Sequence, residues 1–259
     1  MPKKCSNAIV TMAVLTLIPI AAQADEADAK QILMNMSDYL TAQQGFAFDY
    51  DATWEVVTTE SQKLGIASSG TVSVARPNKI RASRVGGFAD VDMIYDGTVF
   101  SLVGNHAGLY TQIPMQGTIE NLVDELRVTY GRPLPAADLL IEKPYDTLMS
   151  DVTDVKDLGS GIISGRECDH LAFRTPDVDW QIWIAQGDTP YPCRYVITTP
   201  GVEQGPQYQV DIRDWRGGEV AANETFTFEA PSGASEVDFE DYQTNVGDLP
   251  GHFVQGGVK

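Results

Sequence analysis

Cys168 and His170 stand two residues apart in a strand-like run, so their side chains share one face. Thiolate and imidazole are both zinc ligands, but a zinc site needs three or four protein ligands. His106 falls in a turn and His252 in a Gly-rich tail, so neither supplies the third. The expectation is a packed cysteine beside a hydrogen-bonded histidine, with no metal. Asp90-Val-Asp92 and Asp177-Val-Asp179 pair carboxylates without the spacing or the glycine of a calcium loop, and read as solvated strand ends. Ser164, in Gly161-Ile-Ile-Ser164-Gly165, lacks the spacing and the strand-to-helix context of a nucleophile elbow and reads as a hairpin turn. Neither a phosphate loop nor a dinucleotide fingerprint is present, so the sequence offers no catalytic residue and calls for no cofactor. Aromatic side chains are the more informative set. Phe46, Phe48, Tyr50 and Trp54 share one face of a run, as do Trp180, Ile182 and Ile184 of another. In a closed sandwich they would be core, whereas in an open sheet part of the stripe lines a ligand cavity.

Cys168 and Cys193 pull in two directions. An even cysteine count in an exported protein argues for a disulfide. Their strands, however, flank a middle one, which sets them about 9–10 Å apart by sheet spacing, beyond the roughly 7 Å that a bridge tolerates. Two buried thiols are the alternative.

The elements that position these residues follow from periodicity. Asp25 to Gln44 carries Ala29, Ile32, Leu33, Met36, Tyr39 and Leu40 at helical spacing, and Gly45 stops it. From Phe46 to Val57 the period becomes two with one polar face, the pattern of an antiparallel strand with one wet side. Further strands are expected over 66–75, 79–85, 90–95, 99–103 and 109–113, separated by turn residues. Thr118 to Tyr130 is a helix, with Ile119, Leu122, Val123 and Leu126 on one face, Thr118 as N-cap and Gly131 as stop. Two short helical pieces, 135–141 and 145–150, follow. Strands return over 153–157, 167–174, 180–185, 193–199, 208–215 and 225–228. The class is α+β: about eleven strands in a curved antiparallel sheet, an incomplete β-barrel, with the N-terminal and central helices covering its concave face.

The first 24 of the 259 residues read as a signal peptide. Lys3 and Lys4 are basic, Ala8 to Ala22 is apolar, and Ala22-Gln23-Ala24 is a small-x-small cleavage site. The apolar run is shorter than the roughly 20 residues of a spanning helix. Cleavage after Ala24 removes two lysines and deepens the formal net charge from −18 to −20. A chain this acidic excludes nucleic acid as partner, since that affinity rests on Lys and Arg neutralising phosphates. The expected domain is 25–231 with a polar, partly mobile tail over 232–259, periplasmic and monomeric, with no transmembrane segment after cleavage.

Three stretches in order resemble the LolA/LolB-like periplasmic lipoprotein carriers. They are Gly70-Thr-Val-Ser-Val-Ala-Arg76-Pro77-Asn78-Lys-Ile-Arg81, Tyr95-Asp96-Gly97-Thr-Val-Phe-Ser-Leu102 and Phe226-Thr-Phe228-Glu-Ala-Pro231-Ser-Gly233. Cys168-Asp-His170-Leu-Ala-Phe173, Asp179-Trp180-Gln181-Ile-Trp183 and Pro190-x-Pro192 are similar to a subgroup of predicted periplasmic proteins of unknown function. The carrier resemblance implies an apolar concave face that accepts acyl chains, and an arginine, here Arg76, that helps latch the helical lid. The residues then expected at cavity or lid are Arg76, Phe48, Tyr50, Trp54, Trp180, Leu122 and Leu126. The implied function is non-catalytic sheltering of a lipid, lipoprotein acyl chain or other apolar ligand. The alternatives are an envelope-stress sensor or scaffold that binds another envelope protein, and an unrecognised hydrolase.

Overall fold

A computed structural model describes residues 21–218, 225–247 and 249. Residues 1–20 of the expected leader lie outside them, as does His252. Strands β1 (Gly45–Val57), β2 (Lys63–Ala75), β3 (Lys79–Gly86), β4 (Asp90–Tyr95), β5 (Val99–Gly104) and β6 (Leu109–Pro114) form one meander. A second meander runs through β7 (Asp154–Ile163), β8 (Arg166–Arg174), β9 (Asp179–Ala185), β10 (Pro192–Thr198) and β11 (Gln207–Gly217). The two join where β11 pairs with β1, so the sheet order is β12-β6-β5-β4-β3-β2-β1-β11-β10-β9-β8-β7. All neighbours are antiparallel except β12 (Ser235–Glu236), which runs parallel to β6. The sheet is open and curved, with twelve strands among the described residues, in keeping with the expected incomplete barrel.

That order dictates where the helices go. β6 lies near one edge and β7 forms the other, so the chain between them must cross the sheet. Across this span lie α2 (Ile119–Val128), a 3-10 turn (Ala137–Leu139) and α3 (Pro144–Leu148). Thr118 caps α2 in a capping box with Asn121. Helix α1 (Ala21–Ala42) packs on β7, β9 and α3. Its buried stripe of Ala29, Leu33, Met36 and Leu40 joins Ile119, Leu122 and Leu126 of α2 in one core with the inward strand residues.

Two expectations for the C-terminus are corrected. Residues 225–228 form no strand. Phe226 is buried and Phe228 packs on Tyr110, while the edge of β6 at Leu109–Tyr110 is taken by β12. Nor is the tail merely polar chain: α4 (Phe239–Asn245), capped by Asp238, buries Tyr242 and Val246 against the sheet. Val246 lies where a Cβ on Gly104 would come within 2.6 Å of its methyl group, so β5 needs glycine there. Phe239 meets Tyr130 edge-on at 4.9 Å, tying the tail to the end of α2.

Cys168 and Cys193 form a disulfide, with Cα atoms 7.1 Å apart. Their strands do flank β9, as strand spacing requires, but the β9–β10 register shifts between Pro192 and Arg194 and Cys193 sits at that irregularity. The bulge brings the backbones closer than a regular ladder would.

Candidate functional site

The inward face of β1 starts the site. Phe48, Tyr50 and Trp54 alternate with Asp49, Asp51 and Glu55, and the first three line a cavity of about 640 Å³. Opposite stands the chain from Gly131 to Leu140, and the β3–β4 hairpin forms another wall. Much of the lining is aliphatic or aromatic, with Val72, Ile80, Met93 and Ile212 from the sheet and Leu134 and Leu139 from the lid. Phe88, at the hairpin tip, lines the cavity yet is 51% exposed, which puts it at the mouth.

The sheet is locally interrupted on this wall. β2 pairs with β3 at Ser69–Val85 and again at Val72–Ala82, with no pairing between. In the gap the Tyr50 hydroxyl donates to the Ser83 carbonyl at 2.9 Å, and the Thr71 N–H donates to the Ser83 hydroxyl oxygen at 3.1 Å. Gly70 makes room for this: a Cβ there would lie 1.9 Å from the Ser83 carbonyl oxygen and 2.8 Å from the Tyr50 hydroxyl. Burial pushes the pKa of Tyr50 up, and likewise that of Tyr208 on the cavity's β11 wall; nearby Arg84 opposes both shifts.

The lid is held at several points. Arg76 Nη1 donates to the Leu140 carbonyl at 3.1 Å, and its guanidinium carbon lies 5.5 Å from the Phe46 ring centroid. Its Nε and Nη2 are buried without a hydrogen-bond partner among the described residues. Burial lowers the Arg76 pKa, opposed by the carboxylates of Glu120 and Glu142. The Ile119 N–H donates to the Pro77 carbonyl at 3.0 Å, Glu142 N–H to the Glu120 carboxylate, and Thr41 Oγ1 to the Glu142 carbonyl at 2.6 Å. The lid also carries a half-buried acid, Asp138, whose pKa is raised by burial and opposed chiefly by Arg127.

Three of the expected residues do not line the cavity. Trp180 is buried and stacks on Phe173 at 3.9 Å, a core contact away from the cavity wall. Leu122 and Leu126 are on α2 but fully buried beneath it. Conversely, Tyr208, Trp215, Arg84, Arg132 and the lid prolines Pro133 and Pro135 line the cavity without having been singled out. Arg84 was legible, standing in period two with Ile80 and Ala82, whereas Tyr208 and Trp215 depend on the long-range pairing of β11 with β1.

The candidate chemistry sits apart from the cavity. Cys168 is in the disulfide, and His170 Nε2 shares a 2.9 Å hydrogen bond with Gln181 while its ring stacks on Trp183 at 3.9 Å. Among the described residues no group of three or more His, Cys, Asp or Glu is placed to hold a metal. Ser164 (φ 50°) and Gly165 (φ 82°) make the two-residue β7–β8 turn. Asp90 and Asp92 accept from Asn105, and Asp179 pairs with Arg174 at 2.6 Å.

Residues 29–240 match the profile of a family described as "Predicted periplasmic protein (DUF2092)", and the chain belongs to that family. It is a periplasmic protein, and among the described residues no helix is long and apolar enough to cross a membrane. No curated protein matches it. Solved structures resemble it at low identity. An uncharacterised conserved protein of Thermus thermophilus is 10% identical, over 82% of this chain and 99% of its own, with a TM-score of 0.46. The MucA/MucB complex of Pseudomonas aeruginosa gives 15% identity, 81% and 63% coverage and a TM-score of 0.45. The Mycobacterium tuberculosis lipoprotein LppX gives 13%, 73% and 96%, and 0.38.

Proposed function

We propose that this member of the family is a non-catalytic binding protein that shelters the apolar part of a lipid, a lipoprotein acyl chain or another apolar ligand between sheet and lid. The observation that carries the reading is the cavity of about 640 Å³ behind the Gly131–Leu140 lid. A folded domain ordinarily fills such space with side chains, and this volume falls within the roughly 300–1,000 Å³ of small-molecule pockets. The half-exposed Phe88 at the mouth gives an apolar ligand a greasy threshold. Arg76, joined to the lid by one hydrogen bond, is the residue we assign to holding the lid closed.

The reading is tested by native mass spectrometry of the protein purified from its own periplasm. Co-purifying lipid, exchangeable for added lipid, is the expected result. Clean protein that takes up no lipid, together with a stoichiometric envelope protein in pull-downs, would replace this reading with that of a protein-binding scaffold.

A further inference from the structure

The cavity has a direction. Its mouth, at Phe88, lies just past Gly86, which pairs with Ser68, itself opposite Ala52 of β1. Its other end lies at Phe46, opposite Val74 and Gly217. Between Trp54 and Phe46, both on the cavity wall, β1 covers about 26 Å at the usual rise per residue. That is room for an extended chain of the kind that fills one bilayer leaflet, about 15 Å. At the far end stands Trp215, and the sheet breaks its own pattern to put it there. Val210 and Ile212 line the cavity, so strict alternation would turn Asp214 inward and Trp215 out. Instead β1 and β11 pair at Asp49–Arg213 and next at Ala47–Arg216, so Phe48 alone faces Asp214 and Trp215. Asp214, at φ 48°, lies exposed at this bulge, and Trp215 turns in.

Behind Trp215 lies a second cavity of about 550 Å³, with Gln43, Arg166, Thr189 and Asp214 on its wall. Among the described residues Trp215 alone borders both cavities. The indole is fixed in place. Its Nε1 donates to the Tyr39 hydroxyl at 3.1 Å, and its ring stacks on Phe46 at 4.9 Å and on Tyr191 at 5.3 Å. Resting on the cavity reading above, we infer that Trp215 is the floor of the apolar cavity and sets the length of acyl chain it takes. The chain enters past Phe88, lies along β1 against Val72 and Met93, and ends with its terminal methyl on the indole. Past that point an added methylene meets either the stacked ring or a polar chamber, and gains no apolar burial.

The test uses the full mature protein, delipidated, and a series of monoacylglycerols of increasing chain length from lauroyl to behenoyl. Each methylene that finds apolar wall should tighten binding about fourfold, until the chain reaches Trp215 and the affinity levels off. In Trp215→Ala the space of the indole opens, so the break should move to a longer chain. The longest members should then bind at least about fourfold more tightly than they bind the native protein. Met93→Ala, on the wall between mouth and floor, should weaken binding several-fold and leave the break where it is. Photolabelling reads the native protein whether or not the variants fold. A diazirine at the terminal carbon of palmitate should mark the peptides that hold Phe46 or Trp215, and one beside the carboxylate the peptide that holds Phe88. A native series that rises to its end without a break overturns the inference and leaves the cavity reading standing. So does a break that Trp215→Ala leaves unmoved or that Met93→Ala moves as far, and so does a terminal diazirine that marks the Phe88 hairpin. Binding of no member of the series overturns the cavity reading and this inference with it.

Discussion

The two faces of β1 do different work. On the outer face Asp49 meets Arg216 at 3.0 Å, Asp51 meets Arg213 at 2.7 Å and Glu55 meets Lys63 at 3.0 Å. Farther along, Arg194 pairs with Asp211 and lies 5.7 Å from the Trp183 ring, on which His170 stacks. Asp51 and Asp211 are directly opposite, and each has its own partner: Ser69 first and then Arg213 hold the Asp51 carboxyl below its ordinary pKa. Each charge on that face is therefore matched locally. On the inner face, one residue along, Phe48, Tyr50 and Trp54 border open volume. The outer face is complete within the chain, whereas the inner face borders the cavity. The same division separates Leu122, Leu126 and Trp180, packed in the core, from the cavity wall.

Substitutions can sharpen that contrast. Leu122→Ala removes a fully buried side chain and should cost about 2–5 kcal/mol in urea denaturation, whereas Phe88→Ala at the half-exposed mouth should cost under about 1 kcal/mol and weaken ligand binding instead. A core-sized loss at Phe88 would mean that the mouth is packed structure. Replacing Cys168 and Cys193 together by serine opens a loop of sequence separation 25 and should cost about 2–4 kcal/mol. Thiol counting on the denatured, unreduced mature protein should find none. Arg76→Leu should fold and release ligand several-fold faster, read by stopped-flow displacement; an unchanged rate would reduce Arg76 to a corner-packing role.

Asp138 gives a prediction with a defined sign. Its folded pKa lies above the unfolded value, so ionising it opposes folding, and the cost is absent below the ordinary 3.8 and grows as pH rises through the folded value. Asp138→Asn should therefore raise the melting temperature at pH 7, with the difference from the parent vanishing at acid pH. The smallest effect belongs to the outer face. Arg213→Ala should cost about 1 kcal/mol or less and leave ligand affinity alone.

Much of this division was legible before the fold was known. Period two from Phe46 to Val57 separates the two faces of β1, and Thr118 with its apolar stripe defines α2 because capping and amphipathicity are local. What was hidden depends on pairing between distant segments. Trp180 shares its pattern with cavity residues, but its strand, β9, lies two places beyond β11 and under α1, where the core is closed. The disulfide hinged on a bulge at Cys193 that strand spacing alone does not contain. The terminal helix did leave a signal, Asp238 as cap with Phe239, Tyr242 and Val246 at helical intervals, masked by the acidic residues between them.

The central claim is that the inner face is the ligand face, and photolabelling reads it most directly. A diazirine-bearing palmitate, irradiated with the delipidated protein and mapped by peptide mass spectrometry, should label segments 46–54, 80–93 and 131–140. Labelling concentrated on the outer-face side chains around Trp183 and Arg194, or none above that of an unrelated protein, would contradict the account.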